Sequence, residues 1–222
     1  AFLNFEKVKI DDYNAYGITI KKRIQKWVGI PVCVGFGETK ALSKIANRVA
    51  KKFKERTAGI YVIDTDEKRT KALKWTKVED VWGIGSRLSK KLKAKNIHTA
   101  YDFTLAHNTV FIQNCMGVLG LRLQMELQGK SVLQLEEQPS AKKSIAVTRT
   151  FEKSVSTFEE MKERVSTFAT VASEKLRTQK SCCYGLTLYI RKNQYQTSGE
   201  RYNYTAFTHL PFATQSALKL SQ

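Results

Sequence analysis

The stretch Val78-Glu79-Asp80-Val81-Trp82-Gly83-Ile84-Gly85, followed by Ser86-Arg87-Leu88-Ser89-Lys90-Lys91-Leu92, says more about the fold than any other part of this sequence. Two glycines around one apolar residue permit a tight turn that directs the N-terminus of the next helix outward. Apolar residues at helical spacing on both sides of the turn predict two helices that pack together. These residues are Val78, Val81, Ile84, Leu88, Leu92 and Ile97. We interpret the segment as a helix-hairpin-helix.

This hairpin has the composition of an anion-binding site. The unpaired N–H groups at the start of a helix favour a negative ligand, and a backbone phosphate of nucleic acid is the natural occupant. Five basic residues surround the second helix, namely Arg87, Lys90, Lys91, Lys93 and Lys95. The alternative is an ordinary helical hairpin with a glycine turn and a solvated lysine face.

Positive charge is spread over the whole chain. The 222 residues carry a formal net charge of +18, and the isoelectric point is near 9.8. The basic excess is +9 in residues 1–76, +4 in residues 77–135 and +5 in residues 136–222. An extended polyanion that touches every part of the molecule is the simplest partner. A surface charged only for solubility would not favour one sign so consistently.

The cysteines and the hydropathy pattern indicate a soluble protein of the cytoplasm. Cys33, Cys115, Cys182 and Cys183 show neither the spacing of zinc ligands nor a plausible disulfide framework, so we expect reduced thiols. No apolar run approaches the length that spans a membrane, and the N-terminus lacks the pattern of a signal peptide. We therefore expect no membrane association.

Residues 1–76 predict a mixed α/β layer. A helix is expected over residues 13–27, and strands are expected over 31–37 and 60–63. Thr39 is a plausible cap for a helix with an apolar stripe on one side and lysines on the other. The stripe is Leu42, Ile45, Ala46, Val49 and Phe53. Alternating apolar residues in 1–8 also predict part of a strand.

The rest of the chain predicts two further types of structure. Helices over 99–105 and 110–128 complete an all-helical region, and residues 133–143 have the composition of a linker. From residue 144 onward, the periodicities predict the order β-α-β-β-α. The strands are expected over 144–151, 184–191 and 202–210, and the helices over 157–179 and 213–222. The predicted fold class is α+β and multidomain.

Three segments in this order resemble one protein family. They are Val32-Cys33-Val34-Gly35-Phe36-Gly37-Glu38-Thr39-Lys40-Ala41-Leu42-Ser43-Lys44-Ile45-Ala46-Asn47, the hairpin over 78–92, and Leu133-Gln134-Leu135-Glu136-Glu137. Together they closely resemble the Y-family lesion-bypass DNA polymerases of the bacterial UmuC type, over essentially the whole chain. The resemblance implies a parent protein that adds deoxynucleotides opposite damaged template bases, in SOS-type DNA repair.

The resemblance also implies a division into domains. Residues 1–76 would be part of an α/β palm, 77–132 an all-helical thumb with the helix-hairpin-helix, 133–143 a linker, and 144–222 a truncated little finger that lacks its last strand. Primer-template DNA is the implied partner. A UmuD-type accessory subunit and a sliding clamp are implied for the full-length parent.

One departure from the family concerns the catalytic metals. In this family a Ser-Ile-Asp-Glu sequence, with two of the three metal-binding carboxylates, immediately precedes a pair like Ala1-Phe2. The Mg²⁺ ligands of the full-length parent are thus expected upstream of Ala1. Two-metal phosphoryl transfer needs carboxylates that hold both ions about 4 Å apart. We therefore expect neither catalytic nor metal-binding residues in this chain.

The remaining acidic and histidine residues do not suggest a substitute site. Asp11-Asp12 and residues 64–67 lie at expected helix starts or turns, where acids commonly cap helices or face solvent. His98, His107 and His209 are scattered. Neither the acidic residues nor the histidines have the spacing of metal ligands or of a catalytic nucleophile with its base.

The resemblance assigns binding roles to basic and hairpin residues. Lys51 aligns with a lysine that approaches the incoming nucleoside triphosphate, and Lys44 lies two turns earlier on the same side; the alternative is a solvated helical face. The predicted DNA-binding residues are Gly83, Ile84, Gly85, Arg87, Lys90, Lys91, Lys142, Lys143, Ser144, Thr148, Arg149, Thr150, Arg191 and Lys192. The glycine-turn residues would offer backbone N–H groups, and the hairpin carbonyls are a candidate site for a monovalent cation.

The predicted DNA contacts from Ser144 onward lie in the expected little finger. There, the sheet face that is not covered by helices is expected to meet DNA. Which side chains of the first strand lie on that face depends on the register of the strand and stays open. Stacking of Trp82, Tyr184 and Tyr202 on nucleic acid has less support, because packing explains these residues as readily.

Two other functional classes compete with a polymerase fragment. One is a non-catalytic DNA-binding or partner-docking protein with a polymerase-like grip. The other is a helix-hairpin-helix repair nuclease, which lacks support because no acidic cluster accompanies the hairpin. An Asp-Glu pair encoded just upstream of Ala1 would favour the polymerase, whereas a native start codon there would favour the non-catalytic protein.

We predict that these 222 residues bind primer-template DNA and do not extend a primer. The reason is that the expected metal-binding carboxylates lie upstream. A primer-extension assay with the purified chain and Mg²⁺ checks this prediction. Template-dependent nucleotide addition, with contaminating polymerase excluded, would contradict it.

Overall fold

The computed structural model describes residues 1–133, 141–152, 155–192 and 202–221. The chain divides into two compact units, Ala1–Glu137 and Gln138–Gln222, which we call unit 1 and unit 2. Each unit contains a two-stranded sheet and a hydrophobic core. Most of the expected linker, residues 134–140, lies outside the described residues. The division of residues 1–132 into palm and thumb stays a prediction.

Unit 1 begins with an α/β layer that agrees with the periodicities. Its elements are α1 (Tyr13–Val28), β1 (Val34–Gly37), α2 (Lys40–Lys52), α3 (Lys54–Thr57) and β2 (Ile60–Ile63). The two strands are parallel, with Val34 opposite Ile60. The Thr39 hydroxyl caps α2 by accepting a hydrogen bond from the Leu42 N–H, and the predicted apolar stripe of this helix is buried except for the half-buried Phe53.

The helix α2 lies directly on the backbone of β1. A Cβ atom at Gly35 would stand 2.0 Å from the Asn47 nitrogen, far inside van der Waals contact. Gly35 therefore has no room for a side chain, and the glycines of this strand allow the basic helix to approach the sheet.

The remaining helices of unit 1 share one core with α2. They are α4 (Asp66–Trp75), α5 (Ser86–Lys93), α6 (Ala100–Thr104) and α7 (Thr109–Leu127). Leu42 of α2, Leu92 of α5 and Phe103 of α6 are all fully buried in this core. The helix α7 is interrupted at Gly117, which has φ 62° and ψ −152°, a conformation open essentially to glycine alone.

The hairpin differs from the prediction on its N-terminal side. Its expected first helix is a single 3-10 turn, Val78–Asp80. The backbone at and just before the start of this turn is bonded elsewhere, because the Val78 N–H donates to the His98 carbonyl at 2.8 Å and the Ala100 N–H donates to the Thr76 carbonyl at 2.8 Å. These bonds hold the segment against the loop before α6 and prevent a longer helix.

A buried carboxylate connects three parts of unit 1. Glu126, near the end of α7, has no exposed surface. One of its oxygens accepts the N–H groups of Val132 at 2.8 Å and Leu133 at 2.9 Å, and the other accepts the Ala41 N–H at 3.2 Å. The Glu126 carbonyl also accepts the Thr39 hydroxyl at 2.7 Å. The start of α2, the end of α7 and the chain that follows are thus held by one residue.

Unit 2 contains α8 (Phe158–Thr178), β3 (Cys183–Arg191), β4 (Asn203–Thr214) and α9 (Ala217–Ser221). The strands are antiparallel, with Thr187 opposite Phe207. Thr157 caps α8, since its hydroxyl accepts a hydrogen bond from the Glu160 N–H. The core is small and consists of Ala169, Leu176 and Leu220, with Cys183 and Leu210 packed against it from the sheet.

Three predicted elements of the chain are corrected. Residues 1–8 and 144–151 form no strand. In the second segment Ile145 and Val147 are half-buried, so the side chains alternate as predicted, but the backbone of residues 144–151 pairs with no strand in the described part of the chain. A strand requires a neighbour as well as alternation. The last helix begins at Ala217 rather than at residue 213, because β4 continues to Thr214, which pairs with Cys183.

We expect Glu126→Ala to lower the free energy of unfolding by about 3 kcal/mol and Glu126→Gln by about 2 kcal/mol, since each leaves buried N–H groups without a carboxylate acceptor. Chemical denaturation followed by circular dichroism measures both. The exposed Glu67, in the first turn of α4, provides the matched control, and Glu67→Gln should change stability by less than about 0.5 kcal/mol. Equal effects at residues 67 and 126 would contradict the prediction.

Candidate nucleic-acid interface

The start of α5 presents a row of free backbone N–H groups. The N–H groups of Gly85, Ser86, Arg87 and Leu88 have no acceptor in the described part of the chain, whereas the Ser89 N–H closes the first helical bond to Gly85. Gly83, with φ 92°, turns the chain into this helix. The result is a helix N-terminus with its amide dipoles directed at solvent.

The position of these donors corrects the prediction for Ile84. Its side chain is buried, and its N–H donates to the Val81 carbonyl at 3.0 Å. Ile84 therefore has no free N–H for a ligand. Sequence reasoning missed Ser86 and Leu88, although the first N–H groups of any α-helix lack an acceptor within the helix and Gly85 has no side chain to cap them.

The charged side chains of the hairpin leave a net positive surface. Its two acids are paired, since Asp80 contacts Arg48 of α2 at 2.6 Å and Glu79 contacts Lys93 at 2.9 Å. The hydrogen bond from Lys93 lowers the pKa of Glu79. The exposed side chains of Arg87, Lys90 and Lys91 have no acidic partner among the described residues. The hairpin surface is thus positive, with its negative charges compensated.

The predicted triphosphate-binding lysines are on the exposed side of α2. Lys44 and Lys51 are both exposed. The Lys44 ammonium lies over the Phe2 ring, 4.7 Å from its centroid, and the Phe2 ring also contacts Trp82 of the hairpin turn with centroids 5.6 Å apart. This Phe2 contact, which the sequence pattern did not reveal, brings the N-terminal segment between α2 and the hairpin.

In unit 2 the predicted basic residues fall on different surfaces. Arg191 is exposed at the end of β3, opposite Asn203. Arg149 instead lines a cavity of about 360 Å³ against α8, together with Glu160 and Glu163. The other candidates in this unit are exposed, namely Lys142, Lys143, Ser144, Thr148, Thr150 and Lys192. Their roles stay predictions.

Two of the three aromatic residues for which packing and stacking were both open are largely exposed. Tyr184 is 58% exposed and Tyr202 is 56% exposed. Trp82 is intermediate between the two interpretations, because it is 45% exposed and also contacts Phe2. Aromatic surface is therefore available to a ligand on unit 2.

The acids considered as metal ligands serve the local structure. Asp12 caps α1 by accepting the N–H groups of Asn14 and Ala15. Asp64 pairs with Lys68 at 2.8 Å, and the hydrogen bond from Lys68 lowers the pKa of Asp64. Within the described ranges, no three His, Cys, Asp or Glu side chains cluster in a way that fits a metal ion.

The helices of the described residues also include none that is both long and apolar enough to cross a lipid bilayer.

Comparison with known proteins gives relatives over almost the whole chain. Residues 142–222 match the impB/mucB/samB family C-terminal domain. Protein UmuC of Salmonella typhimurium is 34% identical over 206 residues, which are 93% of this chain and 49% of UmuC. Protein MucB of Escherichia coli is 32% identical over 209 residues, which are 94% of this chain and 49% of MucB. The chain spans about half the length of these curated relatives.

A solved structure agrees with this relation at the level of the fold. A Y-family DNA polymerase chimera aligns with 97% of this chain and 57% of its own length, with a TM-score of 0.60 and 19% sequence identity. Residues 142–222 therefore carry the impB/mucB/samB family C-terminal domain, the chain is similar to UmuC and MucB over more than 90% of its length, and its fold resembles that of the Y-family DNA polymerase chimera.

Proposed function

We propose that this chain is the DNA-holding part of a translesion DNA polymerase, a protein that adds deoxynucleotides opposite damaged template bases. The observation that carries the proposal is the start of α5, where four free N–H groups lie beside the unpaired cations Arg87, Lys90 and Lys91. Such a surface can bind phosphates of any base sequence. A polymerase that copies damaged DNA requires this kind of sequence-independent grip.

The proposal gives separate tasks to the parts of the chain. Residues 1–76 act as part of the palm, with Lys44 and Lys51 near the incoming triphosphate. Residues 77–132 act as the thumb, whose hairpin holds the DNA backbone and offers carbonyls to a monovalent cation. Residues 144–222 act as the little finger along the DNA. The family relation and the exposed basic surfaces support this division.

The chemical step is proposed for the whole protein. Two Mg²⁺ ions would clamp the attacking and leaving oxygens of the phosphoryl transfer when bound. The residues of this chain position the duplex and compensate its charge, and none of them is assigned a proton transfer or a metal. We place this function in the cytoplasm, with a UmuD-type subunit and a sliding clamp as partners of the whole protein.

Binding to primer-template DNA should depend steeply on salt. If about five phosphates are neutralised, the logarithm of the association constant should fall against the logarithm of salt concentration with a slope of roughly −4 to −5. Fluorescence anisotropy with a labelled primer-template over a salt series measures the slope. Affinity that stays constant from low to moderate salt would contradict an electrostatic grip.

The free N–H groups of the hairpin permit a more specific test. Ser86 is the first residue of α5, where proline is well tolerated, and Gly85 before it is extended, with φ −87° and ψ 175°, as a residue before proline should be. Ser86→Pro therefore removes one N–H donor and leaves the helix intact. We expect DNA affinity to fall about tenfold, because a hydrogen bond to a charged group contributes about 1.5 kcal/mol.

Ser86→Ala is the matched control, since it removes the hydroxyl and keeps the N–H. Its DNA affinity should equal that of the wild type, and thermal unfolding should verify that both variants fold. Equal affinities for Ser86→Pro and the wild type would show that this N–H group binds no phosphate. Equal losses in both variants would show that the hydroxyl, rather than the N–H, makes the contact.

A further inference from the structure

One side of α1 combines exposed cations with an exposed tryptophan. Residues 13–37 contain no Asp or Glu. Three basic side chains of this helix are exposed and have no acidic partner among the described residues, namely Lys22, Arg23 and Lys26. The next residue, Trp27, is 72% exposed, whereas Trp82 is 45% and Trp75 38% exposed. We call the following residues the outer face of α1: Thr19, Lys22, Arg23, Lys26 and Trp27.

The side chains of the outer face line one open cavity of about 380 Å³. The Arg23 guanidinium lies over the Trp27 ring, 5.4 Å from the ring centroid. Attraction between a cation and an aromatic ring favours this orientation of the two side chains. Lys22 and Lys26 are four residues apart, so their side chains extend from the same side of the helix. The cavity thus has an aromatic side and a positively charged side.

The packing of α1 on the sheet of unit 1 directs the outer face toward solvent. A Cβ atom at Gly17 would stand 2.9 Å from the Ile60 side chain and 3.0 Å from the Phe36 ring, so the helix lies close to the strands there. Ile20, almost one turn later, packs against the same cluster. With 3.6 residues per turn, the outer face lies on the opposite side of the helix from Gly17 and Ile20.

The proposed DNA-binding surface of unit 1 lies on the other side of the sheet. A Cβ atom at Gly35 would meet Asn47 of α2, whereas the next residue, Phe36, packs near α1. Because successive residues of a strand point to opposite faces, α1 and α2 lie on opposite sides of the sheet. The hairpin is on the α2 side, where Asp80 pairs with Arg48. The outer face of α1 is therefore not part of the surface formed by α2 and the hairpin.

We propose that the outer face of α1 docks a second protein, through an acidic segment that carries an aromatic or large apolar side chain. Carboxylates of this segment pair with Lys22 and Lys26, and its apolar side chain packs on the Trp27 ring. Trp and Arg are enriched among the residues that dominate the binding energy of protein interfaces. The ion pairs speed association and align the segment on the helix.

The small size of the outer face favours a protein segment over nucleic acid. Binding of nucleic acid without sequence preference uses a basic groove along the backbone and several rings for successive bases. The cavity has one ring, and its cations from residue 22 to residue 26 span only about 6 Å of the helix axis. A single aromatic anchor with charged groups at its border is the arrangement of a protein interface with a central hot spot.

Fluorescence anisotropy with the whole chain and labelled peptides tests the docking site. The probe is a peptide that alternates Asp and Glu around a central Phe, and it should bind more tightly than either of two companions. One companion has Ala in place of Phe, and the other has Asn and Gln in place of the acids. Trp27→Ala should weaken binding of the probe about tenfold, and Lys22→Gln combined with Lys26→Gln about fivefold. Trp27→Phe should keep most of the affinity because it preserves a ring.

Lys90→Gln combined with Lys91→Gln is the matched control, since it removes two exposed lysines from the hairpin instead of from α1. The control should weaken binding of a primer-template duplex and leave binding of the peptide unchanged. The variant at Lys22 and Lys26 should show the reverse pattern. Circular dichroism should verify the fold of each variant.

Several results would overturn the docking site. One is equal affinity of the wild type for all three peptides, and another is unchanged binding of the probe in Trp27→Ala. Loss of duplex binding in the variant at Lys22 and Lys26 would show that the outer face binds nucleic acid instead. A wild-type chain that sediments as a dimer, together with a Trp27→Ala chain that sediments as a monomer, would show that it binds a second copy.

Discussion

The carboxylate of Glu126 determines how the helices of unit 1 are held together. It is fully buried, and its two oxygens accept N–H groups from the start of α2 and from residues 132 and 133. A buried carboxylate is costly unless such donors surround it. Because the donors come from segments far apart in sequence, satisfying this one group requires α2, α7 and the chain after α7 to adopt a single arrangement.

The hairpin depends on that arrangement because it rests on both helices. Arg48 of α2 binds Asp80, and Leu123 of α7 lies 3.9 Å from the position that a Cβ atom of Gly83 would occupy. The same packing pairs the acids of the hairpin with basic side chains and leaves the other cations of the hairpin exposed to solvent. The positive surface at the start of α5 is thus a consequence of tertiary packing as well as of composition.

Local patterns were sufficient for much of the fold, and long-range contacts explain what they missed. The cap Thr39 and the apolar stripe after it predicted α2, and apolar periodicity predicted α8, because capping and amphipathicity act within a few turns. Whether residues 144–151 pair as a strand depends on neighbours that no local pattern specifies, and so does the acceptor of the Ile84 N–H. Glu126 was missed for the same reason, since an acid near a helix end is usually solvated. In the candidate site, the basic residues and the glycine turn were predictable, whereas the free donors at Ser86 and Leu88 required the observed helix boundary.

A surface built from main-chain N–H groups has an evolutionary consequence. Substitution of side chains at positions 85–88 leaves the backbone donors in place, provided that the turn at Gly83 keeps its positive φ. Point mutations can therefore adjust affinity through Arg87, Lys90 and Lys91 in small steps without loss of the underlying geometry. The strength of binding at such a surface changes in small steps while its sequence diversifies, because the backbone donors keep a common geometry.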